Sequence, residues 1–431
     1  MKKLFVFLTI LFASFTLVAC DTTGDGKTPA GDPIQLAAPQ VSVDDNGLAS
    51  WTAVENAVGY IYKLNGKEQA TMKTSLQLAN GDELAVKAKG DGKNYTDSEY
   101  SQTVTFTAKA VVGVPEPANG FYMRDADVIQ DGNVRYLVYT TNATAHQEDS
   151  VIAVRKAELT EEGWVYGDQV VALSASENGW DQFLGSASVT KGVFGLNGET
   201  YNWLMVYQGT KSDSGVANSI GLAVSKDILG EWVKIENPVI KYDSEIYGAN
   251  MMGCYAPSVV NYNKTSGIRI FYTYADAYGH FTFFYDMDLS DLSNISGVSA
   301  MIPHNGNLHG GDGALMFPNA DFLYDSANQV FYAIKDYSPS PSTKPSFADQ
   351  LELGHIAEEE LYTIEAGKGW ESDFYQDCID FDNGYDRCYS ACVVSDVYGH
   401  KLEGNFEIVF NVCEIGDNYL HTQKFMTYVI E

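Results

Sequence analysis

Beyond the first 33 residues, short runs of aromatic and β-branched residues alternate with turn residues along most of the chain. Residues 134–141 (VRYLVYTT) and 268–275 (IRIFYTYA) are two of the longer runs. The composition agrees with this pattern, since 28 Tyr and 21 Phe favour extended backbone. The pattern predicts an all-β protein.

A repeat organises the chain from residue 110 onward. Small-residue tetrads ending in an apolar residue occur at 125–128 (DADV), 186–189 (SASV), 256–259 (APSV), 319–322 (NADF) and 390–393 (SACV). A strand rich in Tyr and Phe follows each tetrad, then a third strand, and in the first four units a weaker fourth one. Five units of about four strands predict a five-bladed β-propeller over residues 110–431. The innermost strand of each blade lines the channel, so we expect the tetrads to converge at one end of the axis.

The last unit offers only three strands before the sequence ends at residue 431. An unpaired edge is a liability that closed propellers avoid. The apolar segment 110–114 (AVVGV) is therefore predicted to pair with the fifth blade and join the ends of the ring.

Residues 34–109 form a separate region of about seven predicted short strands, which is typical of a β-sandwich. The region resembles a fibronectin type III domain in Pro39, in Trp51, in the Tyr60-x-Tyr62-x-Leu64 strand and in the run SEYS at 98–101. The resemblance implies a spacer or binding module without catalysis.

The N-terminus has the features of an export signal. Lys2 and Lys3 precede an apolar run at 4–18, which is short for a spanning helix. The run ends in LVAC at 17–20, which resembles the bacterial lipobox and implies cleavage after residue 19 and lipidation of Cys20. Residues 20–33 are polar and predict a flexible tether. We expect a lipid-anchored protein at the bacterial cell surface or in the periplasm; an uncleaved transmembrane helix is the alternative.

The net charge limits the kinds of partner that the protein can bind, and the cysteine spacings limit the kinds of site that the cysteines can form. The formal net charge is −30, from 57 acidic and 27 basic residues, which excludes nucleic acid as a partner. Four cysteines lie near the C-terminus with spacings that match no zinc site. They are Cys378, Cys388, Cys392 and Cys413. One or two disulfides and buried free thiols are both compatible with these spacings.

The propeller region resembles the five-bladed glycosidase group that includes glycoside hydrolase families 43 and 32. The motifs are RDADVIQDGNVRYLVYTT from residue 124, GSASVTKG from 185, IGLAVSKDILGEWVKIENPVI from 220, YAPSVVNY from 255 and FYDMDLSD from 284. The resemblance implies one acid at the inner end of each of the first three blades: a base or nucleophile, an acid that tunes pKa, and a proton donor. Asp125 occupies the first of these places. Ser186 and Tyr255 occupy the other two, where the family has acids.

Other residues near the tetrads are candidates for the site. We predict that Asp125 acts as base or nucleophile, with Glu245 or Asp181 as the second catalytic carboxyl. Substrate would be bound by Asp127, Trp180, Ser186, Tyr255 and Asp321, and Tyr247 and Tyr278 are further aromatic candidates. No cofactor is expected, although His309 in HGGDGA is a candidate ligand to a central metal ion. For each residue the alternative is a structural role in the core or in a solvated loop.

Three functions remain open at this point. The first is an extracellular glycoside hydrolase with a rearranged set of acids, acting on oligo- or polysaccharides. The second is a glycan-binding lipoprotein without catalysis, and the third is an adhesion propeller. A serine hydrolase is disfavoured because the sequence has no Gly-x-Ser-x-Gly elbow, and a phosphate-loop enzyme because it has no Gly-x4-Gly-Lys-Ser/Thr motif.

Overall fold

The chain divides into two compact units, Met1–Thr107 and Ala108–Glu431. A computed structural model describes residues 33–43, 48–78, 81–106, 111–147, 149–277, 279–303, 306–309, 317, 319–336, 348–362, 369–378, 385, 387–413 and 422–430. Among the helices in these ranges, none is long and apolar enough to cross a membrane.

The described residues of the first unit form nine short strands. They are β1 (Ile34–Gln35), β2 (Val41–Val43), β3 (Leu48–Trp51), β4 (Gly59–Leu64), β5 (Lys67–Thr71), β6 (Ser75–Gln77), β7 (Glu83–Lys89), β8 (Tyr95–Thr96) and β9 (Val104–Thr105). One sheet has the order β2-β3-β6, a second has the order β5-β4-β7-β9, and β1 pairs with β8. Both larger sheets contribute to one apolar core, in which Trp51 meets Tyr60 edge to face. The likeness of this unit to fibronectin type III remains a prediction.

In the second unit, the described residues form the remaining strands and one short helix, α1 (Ser244–Tyr247). The strands before the helix are β10 (Val111–Val112), β11 (Arg124–Asp131), β12 (Val134–Asn142), β13 (Ser150–Thr160), β14 (Gly163–Ser174), β15 (Phe183–Leu196), β16 (Glu199–Thr210), β17 (Ser219–Ser225) and β18 (Trp232–Lys234). Those after it are β19 (Gly253–Val260), β20 (Gly267–Asp276), β21 (Gly279–Asp288), β22 (Gly297–Met301), β23 (Asp321–Asp325), β24 (Val330–Asp336), β25 (Gln350–Ala357), β26 (Glu371–Asp377), β27 (Cys388–Val393), β28 (Ser395–Asp396), β29 (Phe406–Val412) and β30 (Lys424–Ile430). A 3-10 turn, Glu358–Glu360, follows β25.

These strands form five sheets, each begun by a strand that carries a tetrad. Blade 1 is β11 to β14, blade 2 is β15 to β18, blade 3 is β19 to β22, blade 4 is β23 to β26, and blade 5 is β27, β29 and β30. Within each blade, consecutive strands pair antiparallel in sequence order. This order confirms the all-β, five-bladed propeller predicted from the repeat.

Apolar faces of neighbouring blades form the cores between them. Val138 and Ile152 of blade 1, for example, share one buried cluster with Val189 and Met205 of blade 2. Similar clusters join blades 2 and 3 and blades 3 and 4. Because each blade buries both faces in this way, its strands are apolar on both sides near the centre.

The segment 110–114 does not close the ring in the way that the sequence predicted. Val111 and Val112 pair with Tyr166 and Val165 of β14, so β10 covers the outer edge of blade 1. At this position β10 pairs with an edge strand of blade 1 whose backbone groups would otherwise be unpaired. The sequence predicted the same kind of edge pairing, but at blade 5. Side chains join blade 1 to blade 5, including an ion pair with Arg135 Nη1 at 2.8 Å from Glu407 Oε1.

Candidate functional site

The five tetrads meet around the propeller axis and line a central cavity of about 30 Å³. The first residue of each tetrad has a left-handed backbone. The φ angles are 53° at Asp125, 35° at Ser186, 48° at Ala256, 46° at Asn319 and 48° at Ser390. In blades 1, 2, 3 and 5 this residue lies in a break of the strand register, so it forms a β-bulge. The sequence repeat therefore marks a repeated bulge at one end of the axis, which we call the tetrad end.

The third residues of the tetrads form a ring of hydrogen bonds between blades, which we call the central ring. Asp127 Oδ2 accepts the N–H of Val189 at 2.7 Å, and Asp321 Oδ2 accepts the N–H of Val393 at 3.0 Å. The hydroxyls of Ser188 and Ser258 accept the N–H groups of the corresponding residues in blades 3 and 4. In blade 5, the Cys392 thiol meets the N–H of Val128, which completes the circle.

A second set of contacts supports the bulges. The N–H of Asp125 is accepted by Asn411, that of Ser186 by Thr140, that of Ala256 by Gln208, and that of Ser390 by Asp336. Each acceptor lies in the second strand of the preceding blade. In blade 3 the corresponding Thr273 hydroxyl donates to the carbonyl of Phe317, just before the tetrad of blade 4. The strained bulges are thus fixed by side chains of the neighbouring blade.

Asp125 differs from the other two acids of the cavity because its carboxylate accepts no N–H from a neighbouring tetrad among the described contacts. Its Oδ1 accepts the hydroxyl of Ser390 at 3.2 Å, and its Oδ2 lies 3.6 Å from Arg124 Nε. The Asp125 side chain is 15% exposed. A partly exposed carboxylate beside a guanidinium is able to accept hydrogen bonds from a ligand.

Burial raises the pKa of both Asp127 and Asp321. Burial, reinforced by the Asp321 carboxylate, raises the pKa of Asp127 well above its ordinary value. Burial likewise raises the pKa of Asp321 to about 6, against the opposing effect of the N–H and hydroxyl donors around it. Their contacts with the central ring place them in the framework of the site.

Asp336 is a second carboxyl close to Asp125. It is 3% exposed, and it accepts both the N–H of Ser390 at 2.8 Å and the amide of Asn319 at 2.7 Å. Burial raises its pKa to about 7, and the nearby Asp125 carboxylate adds to this rise. Asp125 and Asp336 thus form a carboxyl pair linked through Ser390.

Asp336 is the functional candidate that the sequence did not indicate. It lies at the end of the second strand of blade 4, and its counterparts are Thr140, Gln208 and Asn411. These residues share a role as acceptors but not a chemical type. A search of the sequence for repeated acids would therefore miss Asp336. A search for a polar residue near the end of the second strand of each blade would find it.

A larger cleft of about 260 Å³ opens at the tetrad end between blades 1 and 2, and we call it the 1/2 cleft. It is lined by Tyr122, Arg124, Ser150, Phe183, Leu184, Gln208, Thr210, Ser212, Asp213, Ser214, Gly215 and Asn218. Arg124, which lines the cleft, also contacts Asp125, so the cleft adjoins the central cavity. Aromatic rings, hydroxyls, amides and one residue of each charge give it the lining of a small-molecule site.

The structure places Asp181 and Trp180 away from the central cavity. Asp181 is 2% exposed, and its carboxylate binds Lys234 Nζ at 2.6 Å and the Tyr207 hydroxyl at 3.1 Å. Trp180 stacks on Tyr207 with the ring planes 21° apart. A side chain at Gly209 or Gly221 would collide with this indole, so the two glycines make room for it. Both predicted site residues are therefore engaged within blade 2.

The remaining predicted residues lie in different settings. Glu245 is exposed on α1, whose N-cap is Asp243, and it is not part of the lining of the central cavity. Tyr255 is buried, and burial together with the Asp336 carboxylate raises the pKa of its hydroxyl. Ser186 lines the cavity. Cys20, Tyr278 and the side chain of Tyr247 lie outside the described residues.

His309 contacts buried charged residues of blade 4. Its Nδ1 lies 3.0 Å from Glu352 Oε1, and Lys335 lies on the other carboxylate oxygen at 2.7 Å. Within the described ranges, no group of three or more His, Cys, Asp or Glu residues is arranged to hold a metal ion.

The five described cysteines are buried free thiols. They are Cys254, Cys378, Cys388, Cys392 and Cys413. The sequence was compatible with disulfides or with buried free thiols, and the structure contains the free thiols. Burial raises the pKa of the Cys254 thiol to about 12, which makes it a poor nucleophile.

No protein-family model and no curated protein matches the chain. The chain is similar to solved structures of glycoside hydrolases. A thermostable family-43 glycoside hydrolase is 14% identical over 74% of this chain and 93% of that one, with a TM-score of 0.49. An α-L-arabinanase from Cellvibrio cellulosa, solved with arabinohexaose, is 13% identical over 72% and 92%, with a TM-score of 0.46. A family 117 glycoside hydrolase from Zobellia galactanivorans is 11% identical over 74% and 88%, with a TM-score of 0.47. Sequence identities and TM-scores this low say nothing about the activity of this chain. The assignment of the propeller fold rests on the strand order of the five sheets described above.

Proposed function

We propose that this protein acts on extracellular glycans at the tetrad end of the propeller, with Asp125 as the reacting carboxylate. One observation carries the proposal. Of the three acids that line the central cavity, Asp127 and Asp321 bond the backbone of the next tetrad, and Asp125 contacts only side-chain donors among the described contacts. Asp125 is thus the acid that a ligand can engage without opening the central ring.

The 1/2 cleft supports a sugar as the ligand. Its volume of about 260 Å³ is near the lower limit of ligand sites in proteins. Phe183 and Tyr122 offer apolar faces, and Arg124, Asp213 and Ser214 offer donors and acceptors of the kind that sugar hydroxyls bind. Since Arg124 joins the cleft to Asp125, a glycan in the cleft would have one ring beside the carboxylate.

In the hydrolytic form of this proposal, Asp125 takes a proton from the attacking water or attacks the sugar carbon itself. The Arg124 guanidinium lies 3.6 Å from Asp125 Oδ2, where it offers a hydrogen-bond donor beside the reacting carboxylate. The Ser390 hydroxyl orients the carboxylate by donating to Oδ1. A proton donor for the leaving oxygen is also required.

A second candidate function is glycan binding without hydrolysis. It is favoured by the positions of the other carboxyls, since Asp181 is paired with Lys234 and Asp336 is almost completely buried. The cleft would serve the same ligand in both cases. An adhesion role has no specific observation in its favour.

We further propose that the mature chain is anchored through lipidated Cys20 at the bacterial cell surface or in the periplasm. The support is the sequence of residues 1–20, with its basic start, apolar run and lipobox-like end. Cys20→Ser should move the protein from the membrane fraction to the soluble fraction. A variant that stays with membranes as well as the parent does would contradict the anchor.

Incubation with plant, algal and bacterial polysaccharides and with 4-nitrophenyl pentosides and hexosides tests the function. Release of sugar or nitrophenol supports hydrolysis. Calorimetric binding of a polysaccharide without release supports the second candidate. Absence of both binding and release across the panel contradicts the glycan proposal.

A further inference from the structure

Asp336 is the last residue of β24 in blade 4, and its carboxyl joins the bulges of two blades. Its Oδ2 accepts the side-chain amide of Asn319 at 2.7 Å, and its Oδ1 accepts the backbone N–H of Ser390 at 2.8 Å. Asn319 and Ser390 are the first residues of the tetrads in blades 4 and 5, with left-handed φ angles of 46° and 48°. One carboxyl therefore fixes two neighbouring bulges.

The bulge at Ser390 links this carboxyl to Asp125. The Ser390 hydroxyl donates to Asp125 Oδ1 at 3.2 Å, and both residues line the central cavity. Because the N–H and the hydroxyl belong to the same residue, the acceptor that fixes the Ser390 backbone also fixes the place from which the hydroxyl donates. Two hydrogen bonds thus connect Asp336 to Asp125.

The link to Asp125 distinguishes Asp336 from the residues at the same place in other blades. The corresponding acceptors of blades 1 and 2 support Ser186 and Ala256. Among the described contacts, neither of these two side chains bonds the Asp125 carboxylate. The bulge that Asp336 supports is the one whose side chain does.

Asp336 is held by hydrogen-bond donors and not by a charge pair. It is 3% exposed, and no Lys or Arg side chain pairs with it among the described contacts. Lys335, its neighbour in sequence, binds Glu352 on the other face of the strand. Burial raises the pKa of Asp336 to about 7, so the carboxyl keeps its proton well below that pH. A protonated carboxyl still accepts hydrogen bonds, and its hold on Ser390 needs no charge.

We infer that Asp336 is a positioning residue for the reaction proposed at Asp125, acting through the Ser390 hydroxyl; this inference rests on the hydrolytic form of the proposed function. The hydroxyl holds Oδ1 of Asp125, which leaves Oδ2 to meet the water or the sugar carbon. A carboxylate that turns away from this orientation loses its alignment with the reacting atoms, and misalignment lowers the rate more than the affinity.

Kinetics of the full chain on a glycoside that the parent cleaves test the inference, well below pH 7. Asp336→Val removes both acceptors and keeps a strand-forming residue. It should lower kcat about 10-fold or more and leave KM within about threefold. Asp336→Asn should keep both constants within about threefold of the parent. The amide oxygen accepts the Ser390 N–H, and the amide nitrogen can donate to the Asn319 side-chain oxygen once that side chain has turned.

Ser390→Ala separates positioning from stability. It removes the hydroxyl and keeps the N–H, and alanine suits this backbone because Ala256 has the same φ of 48° in blade 3. This variant should lose as much kcat as Asp336→Val does. In the double variant, Asp336→Val should cause no further loss, because the hydroxyl through which Asp336 acts is already absent.

Thr273→Val is the matched control. Thr273 occupies the corresponding place in blade 3, is 2% exposed and donates to the carbonyl of Phe317. Its replacement removes a buried hydrogen bond of the same kind, without a link to Asp125, and kcat should equal that of the parent. Circular dichroism and thermal unfolding establish that each variant is folded. If Asp336→Val does not fold, the smaller Asp336→Ala takes its place.

The remaining outcomes overturn the inference. They are parent-like kcat in Asp336→Val or in Ser390→Ala, independent losses that multiply in the double variant, and a loss in Asp336→Asn as large as in Asp336→Val. If Asp125→Asn abolishes turnover in these cases, the proposed function stands and the role of Asp336 alone is dismissed. If the parent cleaves no glycoside, the hydrolytic function and the inference fail together.

Discussion

The carboxylate of Asp127 in blade 1 accepts the backbone N–H of Val189 in blade 2 at 2.7 Å, deep in the centre of the propeller. In the next two links of the central ring a serine hydroxyl has the same task. The acid is therefore one of several side chains able to satisfy this N–H group. Its charge is not needed, and burial disfavours that charge.

The first prediction follows from this exchange of residue types. Asp127→Ser should fold with nearly the parent's stability, because serine serves as acceptor at the same place in blades 2 and 3. Asp127→Ala leaves a buried N–H without a partner and should lower the free energy of unfolding by about 1–3 kcal/mol. Urea unfolding of both variants measures the difference. Equal losses in the two would contradict a hydrogen-bonding role.

The second prediction concerns pH and Asp336. A carboxyl whose folded pKa is about 7, against an ordinary 3.8, binds its proton more tightly in the folded state. Its contribution to stability is therefore complete below about pH 4 and is lost as the pH rises through 7, by up to about 4 kcal/mol. The parent should gain stability relative to Asp336→Asn when the pH is lowered from 8 to 5. A difference that is constant over this range would show that Asp336 is ionised throughout.

The third prediction separates Asp181 from the chemistry. Asp181→Ala removes the partner of Lys234 and of the Tyr207 hydroxyl, and should cost about 2–3 kcal/mol of stability, less than a fully buried pair because Lys234 is partly exposed. Turnover per folded molecule should be unchanged. A variant that is stable but inactive would restore Asp181 as a catalytic carboxyl.

The fourth prediction concerns the thiols. All five described cysteines are buried, so the native protein should react with a thiol reagent only slowly. The sequence has six cysteines, and the sulfur of a lipidated Cys20 is blocked, so the processed protein should titrate five thiols after unfolding in guanidinium without reductant. A lower number would mean that disulfides form in the exported protein.

The propeller could be predicted because its signal is local and repeated. Tetrads such as 186–189 (SASV) and 256–259 (APSV) combine small residues for the crowded axis with an apolar residue for the core between blades. The edge that residues 111–112 occupy was not predictable in the same way. A segment of two valines can pair with several unpaired strand edges equally well. The edge with which it pairs depends on the path that the chain takes.

The site could be predicted only in part. Asp125 followed from its place in the first tetrad. Asp181 lies five residues before the second tetrad, but its partner Lys234 is 53 residues away, and sequence position does not reveal that pairing. His309 was noticed as a histidine in a glycine-rich segment, while its setting depends on Lys335 and Glu352 in two later strands.

The most direct test of the central claim is the turnover of Asp125→Asn on a glycan that the parent cleaves, measured together with its affinity for the same glycan. Asp131→Asn, at the opposite end of the same strand, is the control. We predict that Asp125→Asn lowers kcat by at least about 100-fold, with affinity nearly unchanged and Asp131→Asn equal to the parent. Parent-like turnover in Asp125→Asn would contradict the assignment of Asp125 as the reacting carboxylate.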